Sequence, residues 1–325
     1  MIKVLAKYII LLFHKTSIMV GGQAVINGVM MRVPGAYATA VRTSEGLIKV
    51  QSCEHQSKVE KFNISKIPIV RGFIHLIDSM QIGYKTLDWS AKISEKDSEP
   101  TNKLIDSLMT FLSIIFAITI FMGIPYYLTE LSLKTNSDNN IVFNLIAGAL
   151  RMTIFLLYLL AISFIKDIKI LFQYHGAEHK VVYNFESGKK LNINNAKNFS
   201  TQHPRCGTSF MFIIMIVTVI TYSFIDTSIS YIFNINLNIF TRIILHLIFL
   251  PIVAGAGYEV LKFLSKMQKY YFFKLLSKPG LWLQNITTNE PTEDQLEVSL
   301  TALNAAFNYD VSQYEGKKHI ADAIG

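Results

Sequence analysis

Cysteine and charged residues are both scarce in this chain of 325 residues. The two cysteines, Cys53 and Cys206, are too few to build the disulfide framework of a small secreted domain. Charged residues make up 17% of the sequence and hydrophobic residues 51%. Soluble globular proteins contain about 25% charged residues, so this composition favours a membrane protein over an ordinary soluble enzyme.

Two catalytic motifs are also missing. The sequence has no Gly-rich loop followed by Lys and Ser or Thr, which argues against a P-loop nucleotide hydrolase. It has no G-x-S-x-G pattern, which argues against a serine nucleophile elbow. The net charge is +8, and in a membrane protein this excess is typical of basic cytoplasmic loops. We therefore expect the lipid bilayer as a partner, and no nucleic acid. Protein partners and oligomeric state are not indicated.

Four apolar segments are long enough to cross a bilayer, which takes about 20 residues. They cover residues 104–128, 141–165, 208–225 and 240–261. Basic residues predict their orientation, because Lys and Arg are enriched in cytoplasmic loops. The connection 166–207 contains seven Lys and Arg, whereas the loop after the third segment contains none. This connection and both termini are therefore predicted to be cytoplasmic.

The remaining segments predict a cytoplasmic part. Runs of β-prone residues around a Ser44-Glu45-Gly46 turn indicate a small antiparallel sheet. The predicted parts are, in chain order, an interfacial N-terminal helix (1–20), a cytoplasmic β-rich region (21–66), an amphipathic helix and linker (67–103), the transmembrane region (104–265) with its cytoplasmic loop (166–207), and a cytoplasmic C-terminal tail (266–325). The predicted fold class is an α-helical multi-pass membrane protein with about four transmembrane helices and a small cytoplasmic β-rich N-terminal region.

Two of these parts rest on a choice between interpretations. The apolar run at the N-terminus is too short to span a bilayer, and the alternative of a signal peptide lacks a small-x-small cleavage site. The amphipathic helix is predicted from an apolar stripe with three- and four-residue spacing that contains Leu76, Met80 and Tyr84. Asp78 lies off this stripe, so we expect it to be solvated.

The stretch from Tyr174 to Lys180 has the order H-x-x-E-H, which is typical of inverted zinc metalloproteases. In a helix, His175 and His179 lie one turn apart on the same side, with Glu178 beside them. In that chemistry the histidines bind the metal and the glutamate is the catalytic general base. Both histidines fall on the apolar, packed face of the predicted helix. A single histidine there would be a hydrogen-bonded core residue, but two histidines and a costly buried carboxylate favour a metal.

His203 and Cys206 are candidates for further metal ligands. They stand three residues apart on a turn made by Pro204 and Gly207, so both can reach one ion. Together with two histidines they make a set of nitrogen and sulfur donors, which favours zinc. The alternative is that Pro and Gly only mark the entry to the third apolar segment.

Two charged residues are the next candidates. Glu259 lies in the fourth apolar segment, where a carboxylate is costly, and could supply the third ligand of an inverted-zincin site. Pairing with Lys262 at the membrane boundary explains it equally well. Arg205 would bind an anionic group of a substrate, with a phospholipid head group as the alternative.

These stretches together resemble the YqhQ-like family, a bacterial membrane family of unknown function described as predicted metal-dependent enzymes. The residues that carry the resemblance are Gly21 to Val25, Gly28 to Arg32, Arg71-Gly72, Tyr174 to Lys180, His203 to Phe210, Tyr258-Glu259 and Lys278 to Leu281. The resemblance implies a bacterial cytoplasmic (inner) membrane location and a metal. Arg32, within the second stretch, is a further candidate for substrate binding. The chain departs from the family pattern at Asn27, where the family usually has Glu.

Three functions compete on this evidence. The first is a zinc-dependent membrane enzyme, a hydrolase of amides or esters with its site at the cytoplasmic membrane face. The second is a non-catalytic protein whose structural metal site serves membrane-protein biogenesis or a larger complex. The third and weakest is a transporter, suggested by Arg151, His246 and Glu259 in or near the apolar segments. It lacks the matching pair of broken helices expected of inverted repeats.

Overall fold

A computed structural model describes residues 18–94, 103–133, 139–267, 270–276 and 278–319. The interfacial helix predicted for the first 20 residues lies outside these ranges, apart from its last three residues. The α-helices are α1 (Lys58–Lys61), α2 (Val70–Ser94), α3 (Lys103–Ile118), α4 (Ile124–Ser132), α5 (Asn140–Ser163), α6 (Lys166–Ser187), α7 (Ile193–Ala196), α8 (Met211–Phe233), α9 (Ile239–Lys266), α10 (Tyr271–Leu276), α11 (Lys278–Thr287) and α12 (Glu293–Ala306).

The predicted antiparallel sheet is present. Its strands are β1 (Gly21–Val25), β2 (Gly28–Val33), β3 (Ala36–Arg42) and β4 (Ile48–Glu54), and they pair in chain order. The β1–β2 turn contains Asn27 with a φ of 51°, a left-handed conformation that asparagine adopts more readily than glutamate. The half-buried Asn27 therefore has a local backbone role in this chain. The predicted Ser44-Glu45-Gly46 turn joins β3 to β4, with Gly46 at a φ of 85°.

Four helical segments are long and apolar enough to cross a membrane. They are Leu104–Ser132, Asn140–Ser163, Met211–Phe233 and Ile239–Leu264. The first combines α3 and α4 with a turn of π-helix, Thr119–Gly123, between them. The third extends eight residues beyond its predicted end at residue 225, because Asp226 lies inside the helix and is buried with polar partners. The apolar side chains of these segments mostly face outward, as expected in lipid.

The main hydrophobic core outside these segments lies between the sheet and two helices. α12 packs across β2, β3 and β4, and α6 packs against β1, β2 and α12. Met31 on β2, Val181 on α6 and Leu303 on α12 are fully buried there. A capping box of Thr292 and Gln295 is present at the start of α12. The segment treated above as a C-terminal tail thus contributes a central helix to this core.

The second face of the sheet packs against α2. Because side chains alternate along a strand, Met30 points to this face and contacts Ile82. The predicted helix is present, but the expectation that Asp78 is solvated is wrong, since it is 2% exposed and its carboxylate lies 2.9 Å from His55 Nε2. The apolar stripe through Leu76, Met80 and Tyr84 is the exposed side. The reason is that α2 is buried through small residues that allow close approach to α9 and β1.

Candidate metal centre

The candidate ligands are positioned by helix α6. The chain breaks after α5 at Phe164 and Ile165, so α6 is a separate helix and not the continuation of a membrane span. It ends at Gly188, whose φ of 71° is the left-handed conformation common at helix C-termini. Most of its central residues are buried against the sheet and α12. The helical spacing brings the imidazole rings of His175 and His179 to a centroid distance of 4.5 Å, as predicted.

Cys206 completes a group of three ligand atoms with these histidines. His175 Nε2 lies 3.2 Å from Cys206 Sγ. One nitrogen of each histidine and the cysteine sulfur all lie within 4.8 Å of one another. His179 is buried, whereas His175 and Cys206 are half-buried, so the group is reached from one side. Two nitrogens and one sulfur are a donor set suited to zinc.

Backbone carbonyls fix the tautomers of both histidines. His175 Nδ1 lies 2.8 Å from the Thr287 carbonyl oxygen, and His179 Nδ1 lies 2.5 Å from that of Thr201. A carbonyl only accepts hydrogen bonds, so each Nδ1 carries a proton, and in the neutral imidazole Nε2 then presents a lone pair. Metal-binding histidines are typically held in this way.

The His179 Nε2 atom is the strongest indication that a cation belongs here. It is buried, and its polar neighbours are the Cys206 thiol, a weak donor, and the Glu178 carboxylate at 3.4 Å. Burial lowers the pKa of His179, which keeps its imidazole neutral. A buried acceptor with only a weak donor is costly, and a metal ion would satisfy it together with Cys206. The residues present therefore fit a divalent metal.

Glu178 lies directly beside this group. Its carboxylate Oε2 is 3.4 Å from His179 Nε2, and the residue is 5% exposed. Burial raises the pKa of the Glu178 carboxyl, while His175 and a hydrogen bond from the Gly22 N–H act in the opposite direction. A Cβ atom at Gly22 would lie 2.7 Å from Glu178 Cγ and 2.5 Å from the Met30 carbonyl oxygen. Strand β1 can therefore approach Glu178 only because residue 22 is glycine.

His203 is close to the group but does not belong to its ligand atoms. Its ring centroid lies 5.6 Å from that of His179, and its Nε2 lies 3.6 Å from Glu186 Oε2. Gln284 holds its backbone with two hydrogen bonds, of 2.8 and 2.9 Å. Burial lowers the pKa of His203, so its imidazole is neutral. The structure thus places His203 as a neighbour of the candidate ligands.

Neither Arg205 nor Arg32 belongs to the ligand group, and each of them lies beside a carboxylate instead. Arg205 forms an ion pair with Glu186, which compensates its charge. Arg32 lies on the sheet face that packs against α2, where its Nη2 is 4.0 Å from Asp78 Oδ2. On β2 this is the face opposite to Met31, which packs toward α6.

Glu259 lies in α9 and is held by an arginine. Arg71 Nε and Nη2 donate to its two carboxylate oxygens at 2.7 and 2.5 Å. This bidentate pair compensates the carboxylate, and the nearby Lys262 adds a further positive charge. Glu259 is not part of the group formed by His175, His179 and Cys206.

Two contributors to the site, Thr201 and Thr287, carry no signal in the sequence, because they act through backbone carbonyls. Gly22 acts through its small size and belongs to the stretch Gly21 to Val25 named above. Glu186 is different, because it stands seven residues after His179 on α6 and shares its side of the helix. Helical spacing alone could have identified it.

Comparison with known proteins confirms the resemblance drawn from the motifs. A family model described as "Protein of unknown function (DUF1385)" matches residues 67–309. The chain is similar to the uncharacterized protein YqhQ of Bacillus subtilis, with 30% identity over 319 residues, 94% of this chain and 97% of that protein. No solved structure matches the chain. The chain belongs to the DUF1385 family of proteins of unknown function.

Proposed function

We propose that this protein is a metal-dependent membrane hydrolase whose metal, zinc, is held by His175, His179 and Cys206. The observation that supports this most directly is the fixed tautomer of both histidines. Hydrogen bonds to two backbone carbonyls leave two Nε2 lone pairs that converge with one sulfur. Three protein ligands with one open position are typical of catalytic zinc sites, whereas structural sites have four.

Glu178 is the proposed general base. A bound divalent metal would supply Lewis-acid polarisation of water and of the scissile carbonyl. The Glu178 carboxylate would accept a proton from the attacking water and pass it to the leaving group. Its burial excludes bulk water, and the Gly22 N–H orients it.

The proposed location is the cytoplasmic face of a bacterial inner membrane, with both termini in the cytoplasm. The positive-inside distribution supports this orientation, and the bacterial relative supports the source. α6 begins three residues after α5 ends, and Cys206 stands five residues before α8 begins. The ligands would thus lie close to the membrane surface, which favours an amide or ester in a membrane-associated substrate.

Metal analysis of the purified protein tests the proposal. The wild-type protein should contain about one equivalent of metal, and the His175→Ala, His179→Ala double variant should contain none. Glu178→Gln should keep the metal and lose hydrolysis of ester and amide probes presented in mixed micelles. A matched control, Glu297→Gln on the exposed side of α12, should keep both. A metal-free wild-type protein that is folded would contradict the proposal.

A structural metal site in a non-catalytic protein is the second candidate. The burial of His179 and Glu178 favours it, because a site that only stabilises the fold needs no access. In that case Glu178→Gln would leave every function unchanged, whereas loss of the metal would lower the unfolding temperature. Parallel measurements of metal content, hydrolysis and thermal unfolding on this variant separate the two candidates.

The orientation is tested with cysteine labelling. A membrane-impermeant thiol reagent should leave Cys53 unlabelled in intact cells and label it after permeabilisation. In a Cys53→Ser, Cys206→Ser background, Asn236→Cys in the exposed loop between α8 and α9 should be labelled in intact cells. The reverse pattern would place the candidate metal centre outside the cytoplasm.

A further inference from the structure

A second cluster of polar groups lies among the four membrane-length helices, away from the candidate metal centre. Arg151 is the twelfth of the 24 residues of α5, so about 17 Å of helix separate it from either end. This distance is beyond the reach of its side chain, so the guanidinium cannot extend to the membrane surface. A charged group at this depth usually marks a functional site.

The partners of Arg151 leave its charge uncompensated. Within the described part of the chain, its hydrogen bonds go to the Phe121 carbonyl, 2.8 Å from Nε, and to the Tyr126 hydroxyl, 2.9 Å from Nη2. Both partners are neutral. Phe121 lies in the π-helical turn Thr119–Gly123, a feature that often accompanies functional sites. Arg151 is half-buried, so part of the residue is accessible from outside the cluster.

A chain of hydrogen bonds holds the Tyr126 hydroxyl in place. His246 Nε2 donates to the Asp226 carboxylate at 2.9 Å, so His246 Nδ1 accepts the Tyr126 O–H at 2.5 Å. The oxygen lone pairs of Tyr126 therefore face Arg151. Asp226 also forms an ion pair with Arg242, so the negative charge of Asp226 is compensated by Arg242. This fully buried network fixes the guanidinium of Arg151 without neutralising it.

Aromatic side chains extend from Arg151 along the outside of the helices. Phe155 and Tyr158 follow Arg151 by four and seven residues, so they lie on the same side of α5. Phe121 contacts both, with ring centroid distances of 6.4 and 5.7 Å. Tyr158 is 43% exposed, so this apolar surface is open to the surroundings of the helices. A cation beside an aromatic surface is complementary to an amphiphile with an anionic head and an apolar tail.

The position of Arg151 near the middle of a membrane-length helix favours a head group with a single negative charge. The cost of moving an ion into a medium of low dielectric constant rises with the square of its charge. A monovalent carboxylate can therefore enter where a dianionic phosphate is strongly disfavoured. A planar carboxylate also matches the planar guanidinium fork of arginine.

We propose that Arg151, held by Tyr126 and the Phe121 carbonyl, binds the carboxylate of a long-chain fatty acid or similar acyl carboxylate whose tail lies along Phe155 and Tyr158. The site is separate from the candidate metal centre. It rests on the proposed membrane insertion of the four helices but not on metal chemistry.

Equilibrium binding to the detergent-solubilised protein tests this site. The probes are a fluorescent 16-carbon fatty acid, the methyl ester of the same molecule, and a lysophosphatidic acid of equal chain length. We expect the carboxylate to bind at least tenfold more tightly than the ester, and Arg151→Gln to abolish this difference. Arg151→Lys keeps the charge but lacks the planar fork, so it should retain only part of the preference. Lys85→Gln, which removes an exposed cation of α2 outside the membrane-length helices, is the matched control and should bind as the wild type does.

Three outcomes would overturn the assignment. They are equal binding of acid and ester by the wild type, an unchanged preference in a folded Arg151→Gln variant, and tighter binding of the phosphate probe than of the carboxylate. The preference should persist in His175→Ala, His179→Ala. A loss of metal with retained carboxylate binding, or the reverse, thus distinguishes failure of one proposal from failure of the other.

Discussion

Replacing Cys206 by alanine should weaken zinc binding far more than replacing His203 by alanine. The Cys206 sulfur lies within 4.8 Å of the ligand nitrogens of both α6 histidines, whereas His203 Nε2 faces Glu186 at 3.6 Å. Zinc binds four-ligand structural sites with about 10–16 kcal/mol, so one ligand contributes about 3–4 kcal/mol. Its loss corresponds to a dissociation constant raised by about 10²–10³-fold.

The expected effect at His203 is smaller. Residues that support metal ligands without binding the metal change affinity by about 10–100-fold when removed. The ring of His203 lies beside the ligand group, with its centroid 5.6 Å from that of His179. We therefore expect a loss near the lower limit, about tenfold.

Competition with a fluorescent zinc chelator, at fixed pH in detergent, measures both affinities. Cobalt substitution adds an independent signal, because a thiolate ligand gives a near-ultraviolet charge-transfer band that Cys206→Ser should lose and His203→Ala should keep. Circular dichroism of each variant establishes that it is folded. If His203→Ala loses zinc as strongly as Cys206→Ala, the three-ligand geometry is refuted and the closed four-ligand site is favoured.

Three further predictions concern the packing around Gly22, the shielding of the Cys206 thiol by bound metal, and the N-terminal cap of α12. Gly22→Ala should lower the free energy of unfolding by about 1–3 kcal/mol, because its Cβ would overlap its neighbours, and it should also reduce metal content. Gly21→Ala, which meets nothing within 4 Å, should change the unfolding free energy by less than about 0.5 kcal/mol; equal effects in thermal melts would contradict the packing argument. Removing metal with a chelator should speed alkylation of Cys206 by iodoacetamide and leave Cys53 unchanged, as measured by peptide mass spectrometry. Thr292→Ala should cost about 0.5–2 kcal/mol through loss of the α12 cap, visible as a lower melting temperature.

The parts of the fold that depend on local pattern could be predicted from the sequence. Length and hydropathy identify the four membrane-length helices, and alternation with a glycine turn identifies the sheet. The Thr292 capping box follows from spacing alone. The buried face of α2 could not be predicted, because Gly72 and Gly83 matter there through the space they leave for α9 and β1. Hydrophobic periodicity contains no information about such close approach.

In the candidate site, too, the features that depend on local spacing could be predicted, and those that depend on tertiary contacts could not. Helical spacing places His175 and His179 together, and this needs no tertiary information. Choosing between Cys206 and His203 requires the path of the loop before α8, which no local pattern encodes. The carbonyl of Thr287 holds His175 from 112 residues away, and any residue type could provide it. The tautomers that favour a metal therefore become visible only in the folded chain.

The hydrogen bond from His175 to Thr287 also sets an order of events during synthesis. Thr287 belongs to α11. The sheet that contacts Glu178 is covered on one face by α12, which follows α11 in the chain. While the ribosome is still translating the membrane-length helices, His175 has no partner for Nδ1 and its tautomer is not fixed. The proposed metal could therefore be captured in the folded geometry only after α11 and α12 have left the ribosome and docked. Metal content would then report that synthesis and folding have proceeded beyond α12.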